Sequence, residues 1–322
     1  MAASPRHGTR PGCRPADYDP RVSYDEIAEG YARHWGPVIR PGAERVLDLI
    51  APEVDAAFVA NPAPTVVDVG TGTGTLAIAA LERWPALKVT GVDPSTGMLE
   101  LAVRAADTRL ASNVRSGYQT EVAWADELPF ADGAFDLALS SFVLQLVPRR
   151  GAALREIRRV LRPGGAFAWV AWLRSDRPYE PDRVANEVLD EAGFDPPEEG
   201  SRNGDVASAA AAALSMRRAG FRDVRAHEYD VVHEWSPAAY LAFLTEFDEE
   251  SLFAELEPGE RRDIKREIAR RLRPLTREQL TLRMPVVYSV GRAPAERVAA
   301  TVARRPLIAP SSRRRNALAQ RR

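Results

Sequence analysis

Three glycines at alternate positions, Gly70, Gly72 and Gly74, follow the apolar run Val66-Val67-Asp68-Val69, which reads as a buried strand. Leu76 to Arg83 then reads as a helix, Lys88 to Val92 as a second strand, and the acid Asp93 closes it. A strand, glycine turn, helix, strand and acid in this order is the way an open α/β sheet holds an adenosine-containing ligand. The dinucleotide fingerprint G-x-G-x-x-G needs its third glycine at position 75, where this chain has Thr75, so the loop is G-x-G-x-G. Asp68 lies two residues before the first glycine. A carboxylate there repels a pyrophosphate and suits an ammonium group. The ligand that carries adenosine at one end and an amino acid at the other is S-adenosylmethionine.

The roles follow from chemistry. Gly70, Gly72 and Gly74, with Thr71 between the first two, let the backbone approach a ligand without a Cβ clash. The start of the next helix offers amides to a carboxylate. Asp93 is placed to accept hydrogen bonds from two ribose hydroxyls, at roughly 1.5–3 kcal/mol for each charge-assisted bond.

Three later segments extend the pattern: Gly91-Val92-Asp93-Pro94-Ser95, Ala125-Asp126-Glu127-Leu128-Pro129-Phe130 and Leu161-Arg162-Pro163-Gly164-Gly165. In this order and spacing the chain resembles class I S-adenosylmethionine-dependent methyltransferases, small-molecule branch, of the ubiquinone/menaquinone C-methyltransferase type. The resemblance covers roughly residues 20–293 and is most specific between 65 and 173. It implies that Asp126 accepts from the adenine amino group, with Glu127 or Leu128 supplying a backbone amide. It also implies that Ser140 or Ser141 presents a backbone carbonyl to the ammonium, and that the position of Pro94, often apolar in the family, packs on adenine. Methyltransferases acting on nucleic-acid amino groups carry an Asn/Asp/Ser-Pro-Pro-aromatic segment where this chain has Ser140-Ser141-Phe142-Val143. That difference, with no basic groove in the core, argues against a nucleic-acid substrate.

The resemblance thus implies methyl transfer to a small acceptor, with a non-catalytic cofactor-binding scaffold, or an enzyme that uses the cofactor without methyl transfer, as alternatives. A base is needed only if the acceptor loses a proton, and no catalytic residue is assigned. His34 is the best single candidate, because the N-terminal helix covers the cofactor in similar enzymes; Glu246 and Asp248 are other titratable groups near the cap. His227 and His233 share a face of one strand but stand about 20 Å apart, too far to hold one ion. No metal site is expected.

The elements that must position these residues alternate in the way of a doubly wound sheet with right-handed crossovers. Tyr24 to Trp35 and Ala43 to Val59 read as helices ahead of the sheet, Ser95 to Arg104 as a helix, and Glu121 to Ala125 as the third strand. Phe135 to Ser140 reads as the fourth strand, Gly151 to Leu161 as an amphipathic helix, and Ala166 to Trp172 as a fifth strand buried on both faces. Beyond lie helices at Arg183 to Ala192, Val206 to Ala219, Ser236 to Phe247 and Pro258 to Arg273, and strands at Asp223 to His233 and Pro285 to Gly291. The expected fold is therefore α/β and Rossmann-like, mostly parallel with an antiparallel last strand, with N-terminal helices and a helical cap between the last two strands. In the cap, Tyr240, Phe243, Leu244 and Phe247 follow helical spacing, with Trp235 and Phe253 to either side. The stripe reads first as packing. Any part of it facing the cleft favours an apolar or aromatic acceptor.

The expected organisation is one domain over 21–293, with a cofactor core at 64–173 and cap helices at about 234–284. A Pro/Arg-rich leader at 1–20 and a basic tail at 294–322 flank it; both are expected to be disordered. With 322 residues, 45% hydrophobic, 28% charged and a net charge of −1, the chain has ample core and no field that recruits nucleic acid or an anionic membrane. The single cysteine, Cys13, forms no internal disulfide. Absence of an 18-residue apolar run and of a secretory signal points to the cytoplasm. The expected partner is a small-molecule methyl acceptor, and a homodimer is left open. The arginine, alanine and proline bias reads as that of a GC-rich genome rather than a design for binding, and carries little functional weight; bacterial secondary metabolism is the expected setting.

Overall fold

A computed structural model describes residues 27–194 and 205–295. The leader, the tail from residue 296 and the middle of the proline- and acid-rich linker lie outside the described residues. Seven strands form one sheet in the order β3-β2-β1-β4-β5-β7-β6, with β1 at Thr65–Val69, β2 at Lys88–Asp93, β3 at Tyr118–Val122, β4 at Phe135–Ser141, β5 at Leu161–Trp172, β6 at Arg222–Glu234 and β7 at Thr281–Arg292. The first five run parallel; β7 enters between β5 and β6 and is antiparallel to both. The strand order reverses between β1 and β4, which opens a crevice at their carboxyl ends, where such sheets bind ligands.

Alternation along the strands divides the core in two. Val66, Val89, Leu137, Leu139, Ala168 and Val286 face one layer of helices, and Val67, Val69, Ala138, Phe167, Trp169 and Val287 face the other. Cover on both faces is what made the β5 segment read as an unbroken apolar run. Asp136, 5% exposed, ties the amino ends together: it accepts from the Thr65 amide at 2.7 Å and pairs with Arg162.

The two expected N-terminal helices are one. Helix α1 runs over 27–60, α-helical except for a π turn at Tyr31–Trp35, and it carries Pro41 and Pro52 inside it. An internal proline costs a helix about 3 kcal/mol, so Pro41 reads locally as a break. Burial overrides that cost: Val38, Ile39, Val46, Leu47, Ile50, Val54 and Ala57 all sit against the sheet. Gly42 lets α1 come close, since a Cβ there would lie 2.9 Å from both Phe142 and Val231.

Other boundaries moved less. Helix α2 is Thr75–Arg83, and α3 is Thr96–Arg109, capped by the Ser95 hydroxyl accepting from the Met98 amide. The third strand begins at Tyr118, three residues before its expected start, and ends before Ala123. A short helix α4, Ser112–Arg115, had no sequence signal. Helix α5, Arg150–Val160, passes directly into β5, whose ladder breaks and resumes at Ala166 opposite Leu137. Helices α6 (Glu180–Glu191) and α7 (Ala209–Arg218) lead to β6.

The cap is where it was expected, between β6 and β7, but has more parts. Helix α8 (Pro237–Phe243) continues as a π turn (Leu244–Asp248), followed by α9 (Glu250–Glu255) and α10 (Pro258–Leu272). Its aromatic stripe packs inward: Tyr240 is 1% exposed and its hydroxyl donates to Asp182 at 2.7 Å.

Candidate functional site

The glycine loop sits at the carboxyl end of β1, and all three of its glycines are left-handed, with φ of +71°, +52° and +80°. Their surroundings differ. A Cβ on Gly70 would lie 2.3–2.8 Å from the Val143 side chain, and one on Gly74 would lie 3.1 Å from Ala102. On Gly72 it would meet nothing within 4 Å. Two glycines therefore serve packing, and the middle one faces open space where a ligand can approach the backbone. The amides of Gly70 and Thr71 both donate to the Val92 carbonyl, at 2.8 and 2.9 Å, which locks the loop to β2. Gly74, at the N-cap of α2, has no side chain to cap the helix, and the Asp68 carboxylate accepts from the Ala77 amide in its first turn.

Asp93 ends β2 beside this loop. Its two carboxylate oxygens accept from the Gly72 and Ser95 amides, each at 3.0 Å, so the acid is oriented before any ligand arrives. Asp68 lies beneath, 1% exposed. The Thr71 hydroxyl donates to one of its oxygens at 2.8 Å, and the other is buried without a partner. Burial pushes its carboxyl up to about 7 against the opposing hydrogen bonds from Thr71 and Ala77, with the nearby Asp93 adding to the rise. An orphaned buried carboxylate oxygen is costly unless a cation or donor meets it. An ammonium group fits that need.

The raised value has a consequence for stability. Between about pH 4 and 7 the folded state holds the Asp68 proton and the unfolded state has lost it, so stability of the ligand-free protein falls as pH rises through this window. Three units correspond to up to roughly 4 kcal/mol. Chemical denaturation of wild type and Asp68→Asn at pH 5 and pH 8 checks this: wild type loses more stability than the variant, and equal losses would contradict it.

The remaining expected residues are placed as follows. Ser140 is fully buried, and its hydroxyl donates to the Val69 carbonyl at 2.7 Å, clamping β4 to β1 at the strand-order reversal. Asp126 is largely buried and pairs with Arg149 at 2.9 Å. The Glu127 amide donates to the Trp124 carbonyl at 3.1 Å and the Leu128 amide to Glu156 at 3.3 Å, so both are already engaged within the protein. Pro94 is half-buried between Asp93 and Ser95. His34 is half-buried, its Nε2 enclosed and 3.3 Å from a Glu246 carboxylate oxygen in a geometry that makes no hydrogen bond. His227 is exposed, and His233 stands edge-on to Trp235. Among the described residues no cluster of His, Cys, Asp or Glu is arranged to hold a metal ion.

Residues 66–165 match the family model described as "Methyltransferase domain". This segment is a class I methyltransferase domain. The open face of Gly72, the pre-oriented Asp93 and the orphaned Asp68 oxygen fit S-adenosylmethionine. The chain is similar to the ubiquinone/menaquinone biosynthesis C-methyltransferase of Geobacter sp. (strain M21), 39% identical over 107 residues, which are 33% of this chain and 44% of that one. It is also similar to the malonyl-[acyl-carrier protein] O-methyltransferase of Geobacter sulfurreducens, 35% identical over 127 residues, 39% and 43% of the two chains. The chain thus spans under half the length of these two relatives. A structure from Galdieria sulphuraria, provisionally assigned as a sarcosine dimethylglycine methyltransferase, shares the fold, with a TM-score of 0.51 at 14% identity over 84% of this chain and 99% of that one. Among the described residues no helix is long and apolar enough to cross a membrane.

The structure adds residues to the domain's cleft that the sequence did not single out. Tyr31, on the π turn of α1, lies near Asp93: burial first, and the Asp93 charge second, raise its phenol far above the ordinary value. Phe142 has φ +57°, a strained value for a bulky residue, and lies against Trp172 with ring centroids 4.3 Å apart. Tyr31 stood in the segment noted for His34, three residues before it. The Phe142 backbone leaves no local signal, because only the surrounding fold imposes it.

Proposed function

We propose that the protein transfers the methyl group of S-adenosylmethionine to a small apolar or aromatic acceptor held beneath the cap. One observation carries the acceptor class. The aromatic cluster begins one residue away from the cofactor loop, because Val143 packs on Gly70 and its neighbour Phe142 packs on Trp172. Trp172 contacts Trp35 of α1 at 6.1 Å, and Trp35 stacks on Phe243 of the cap at 5.5 Å. Rings from the residue just after β4, the end of β5, α1 and α8 therefore meet above the carboxyl ends of the strands. Such a wall favours a flat apolar ligand through its buried area and through ring contacts worth about 0.5–1.5 kcal/mol each.

The cofactor brings a methyl group on an electrophilic sulfonium. The protein's part is alignment and exclusion of water, which contributes up to ~7–11 kcal/mol in well-oriented cases. Gly72 and Asp93 hold the nucleoside side, Asp68 faces the ammonium side, and α1 with the cap closes the cleft. His34, half-buried with its Nε2 enclosed and unbonded, is the group placed to take a proton from an acceptor that must lose one.

Incubation of the purified chain with methyl-labelled S-adenosylmethionine and a small-molecule extract tests the reading. Label is expected in an organic-soluble product. Saturable cofactor binding with no transfer of label would point to a scaffold and overturn methyl transfer. Label in a strongly polar product would overturn the acceptor class alone.

A further inference from the structure

Glu53, on the part of α1 remote from the cleft, is 5% exposed, and its Oε2 is buried without a hydrogen-bond partner among the described residues. Its Oε1 serves two cations at once. Nη2 of Arg225 on β6 and Nη2 of Arg292 at the end of β7 both donate to it, each at 3.3 Å. A buried ion pair is favourable when its remaining lone pairs are met, and a bidentate pair uses both carboxylate oxygens. Here one oxygen is doubly engaged and the other has no donor.

These three residues line an open cavity of about 750 Å³, together with Arg217 of α7 and Asp223. Arg217 is fixed by its Nη2 donating to the Val224 carbonyl at 3.2 Å. Pro52, Val224 and Val290 supply the apolar part of the lining. A bulge shapes the wall: the β6–β7 ladder skips from Arg222 opposite Arg292 to Arg225 opposite Val290, with Asp223 at φ +52° between them. Bulges re-aim side chains and are over-represented next to active sites.

The cavity is far from the cleft. Val286 of β7 pairs with Trp172 of the aromatic wall, and Arg292 lies six residues further along the strand, about 20 Å away. Along α1, Trp35 and Glu53 are about 27 Å apart at the helical rise. A ligand in the cavity touches neither cofactor nor acceptor.

We propose that this cavity binds a small aliphatic 2-hydroxycarboxylate, its carboxylate on the arginines and its hydroxyl donating to Glu53 Oε2. Charge decides the class. Three guanidinium groups against the carboxylates of Glu53 and Asp223 leave one positive charge, which a single carboxylate neutralises. Among the described residues each guanidinium makes its polar contact through Nη2, so Nη1 and Nε remain for an incoming anion. Their fork geometry matches a carboxylate. The orphaned Oε2 calls for a donor beside that anion. A hydroxyl meets it without restoring the excess charge that an ammonium would bring back.

Calorimetry on the full chain at near-physiological ionic strength tests this, with 2-hydroxy-4-methylpentanoate and 4-methylpentanoate, which differ only in the hydroxyl. The hydroxy acid is expected to bind with a Kd under about 1 mM. The plain acid is expected to bind at least about 10-fold more weakly, because it lacks one hydrogen bond to a charged acceptor. Arg225→Gln, at a side chain 62% exposed, is expected to weaken the hydroxy acid by about 10-fold or more and to leave S-adenosylhomocysteine affinity unchanged. Glu53→Gln is expected to bind the two acids alike. No saturable binding by wild type across the millimolar range, or binding unaltered in Arg225→Gln, would overturn the site. Equal affinities of wild type for the two acids would overturn the hydroxyl contact and with it the ligand class.

Discussion

Asp93→Ala is expected to weaken S-adenosylhomocysteine binding by about 100-fold or more while leaving the fold intact. Two charge-assisted hydrogen bonds to ribose at roughly 1.5–3 kcal/mol each set the scale, reduced by the water that replaces the carboxylate. The structure adds a second loss. Asp93 holds the amides of Gly72 and Ser95, so alanine also frees the middle of the glycine loop and the start of α3. Asp93→Asn keeps one acceptor oxygen and is expected to lose less. Calorimetry with S-adenosylhomocysteine on the three proteins checks the order. Affinity unchanged in Asp93→Ala would remove Asp93 from the ribose site.

Gly70→Ala is expected to destabilise the protein by about 3 kcal/mol. A non-glycine residue in the left-handed region costs roughly 1–2 kcal/mol, and forcing a methyl group into packed neighbours costs roughly 1–3 kcal/mol more. The obstruction is the body of Val143, whose Cβ and both methyls lie 2.3–2.8 Å from the new atom. It is not the end of a flexible chain that can swing aside. A fall of about 6–12 °C in Tm follows for a domain of this size. Val143→Ala in the same protein removes the two closest carbons and is expected to recover part of the packing loss, leaving the contact with the remaining Cβ at 2.8 Å and the backbone strain. Thermal denaturation of the two single variants and the double variant closes the cycle; strictly additive losses would contradict the contact. By contrast, Gly72→Ala meets no protein atom and is expected to cost only backbone strain.

This contrast shows how far the glycine motif could be read without a structure. Alternate glycines after a buried strand imply left-handed backbone, and all three adopt it. The spacing does not distinguish the glycine that faces the ligand space from the two that face neighbours, because Val143 and Ala102 come from distant segments. The α1 helix makes the same point. Pro41 is a local argument for a break, and it was outweighed by a row of apolar residues meeting a sheet that forms later in the chain. Likewise no spacing in the sequence shows that the Glu127 amide donates to the Trp124 carbonyl and the Leu128 amide to Glu156 of α5.

The sequence by itself determined the loop, the acid that ends β2, the alternation that builds a mostly parallel sheet, and the place of the cap between the last two strands. These are settled within about thirty residues at a time, where backbone conformation and short crossovers leave few options. Only the tertiary structure decided that Tyr31 stands by Asp93, that Phe142 is held at a positive φ against Trp172, and that the π turns of α1 and the cap meet. Each depends on contacts between segments far apart in the chain. There burial outweighs local preference, and no spacing in the sequence records it.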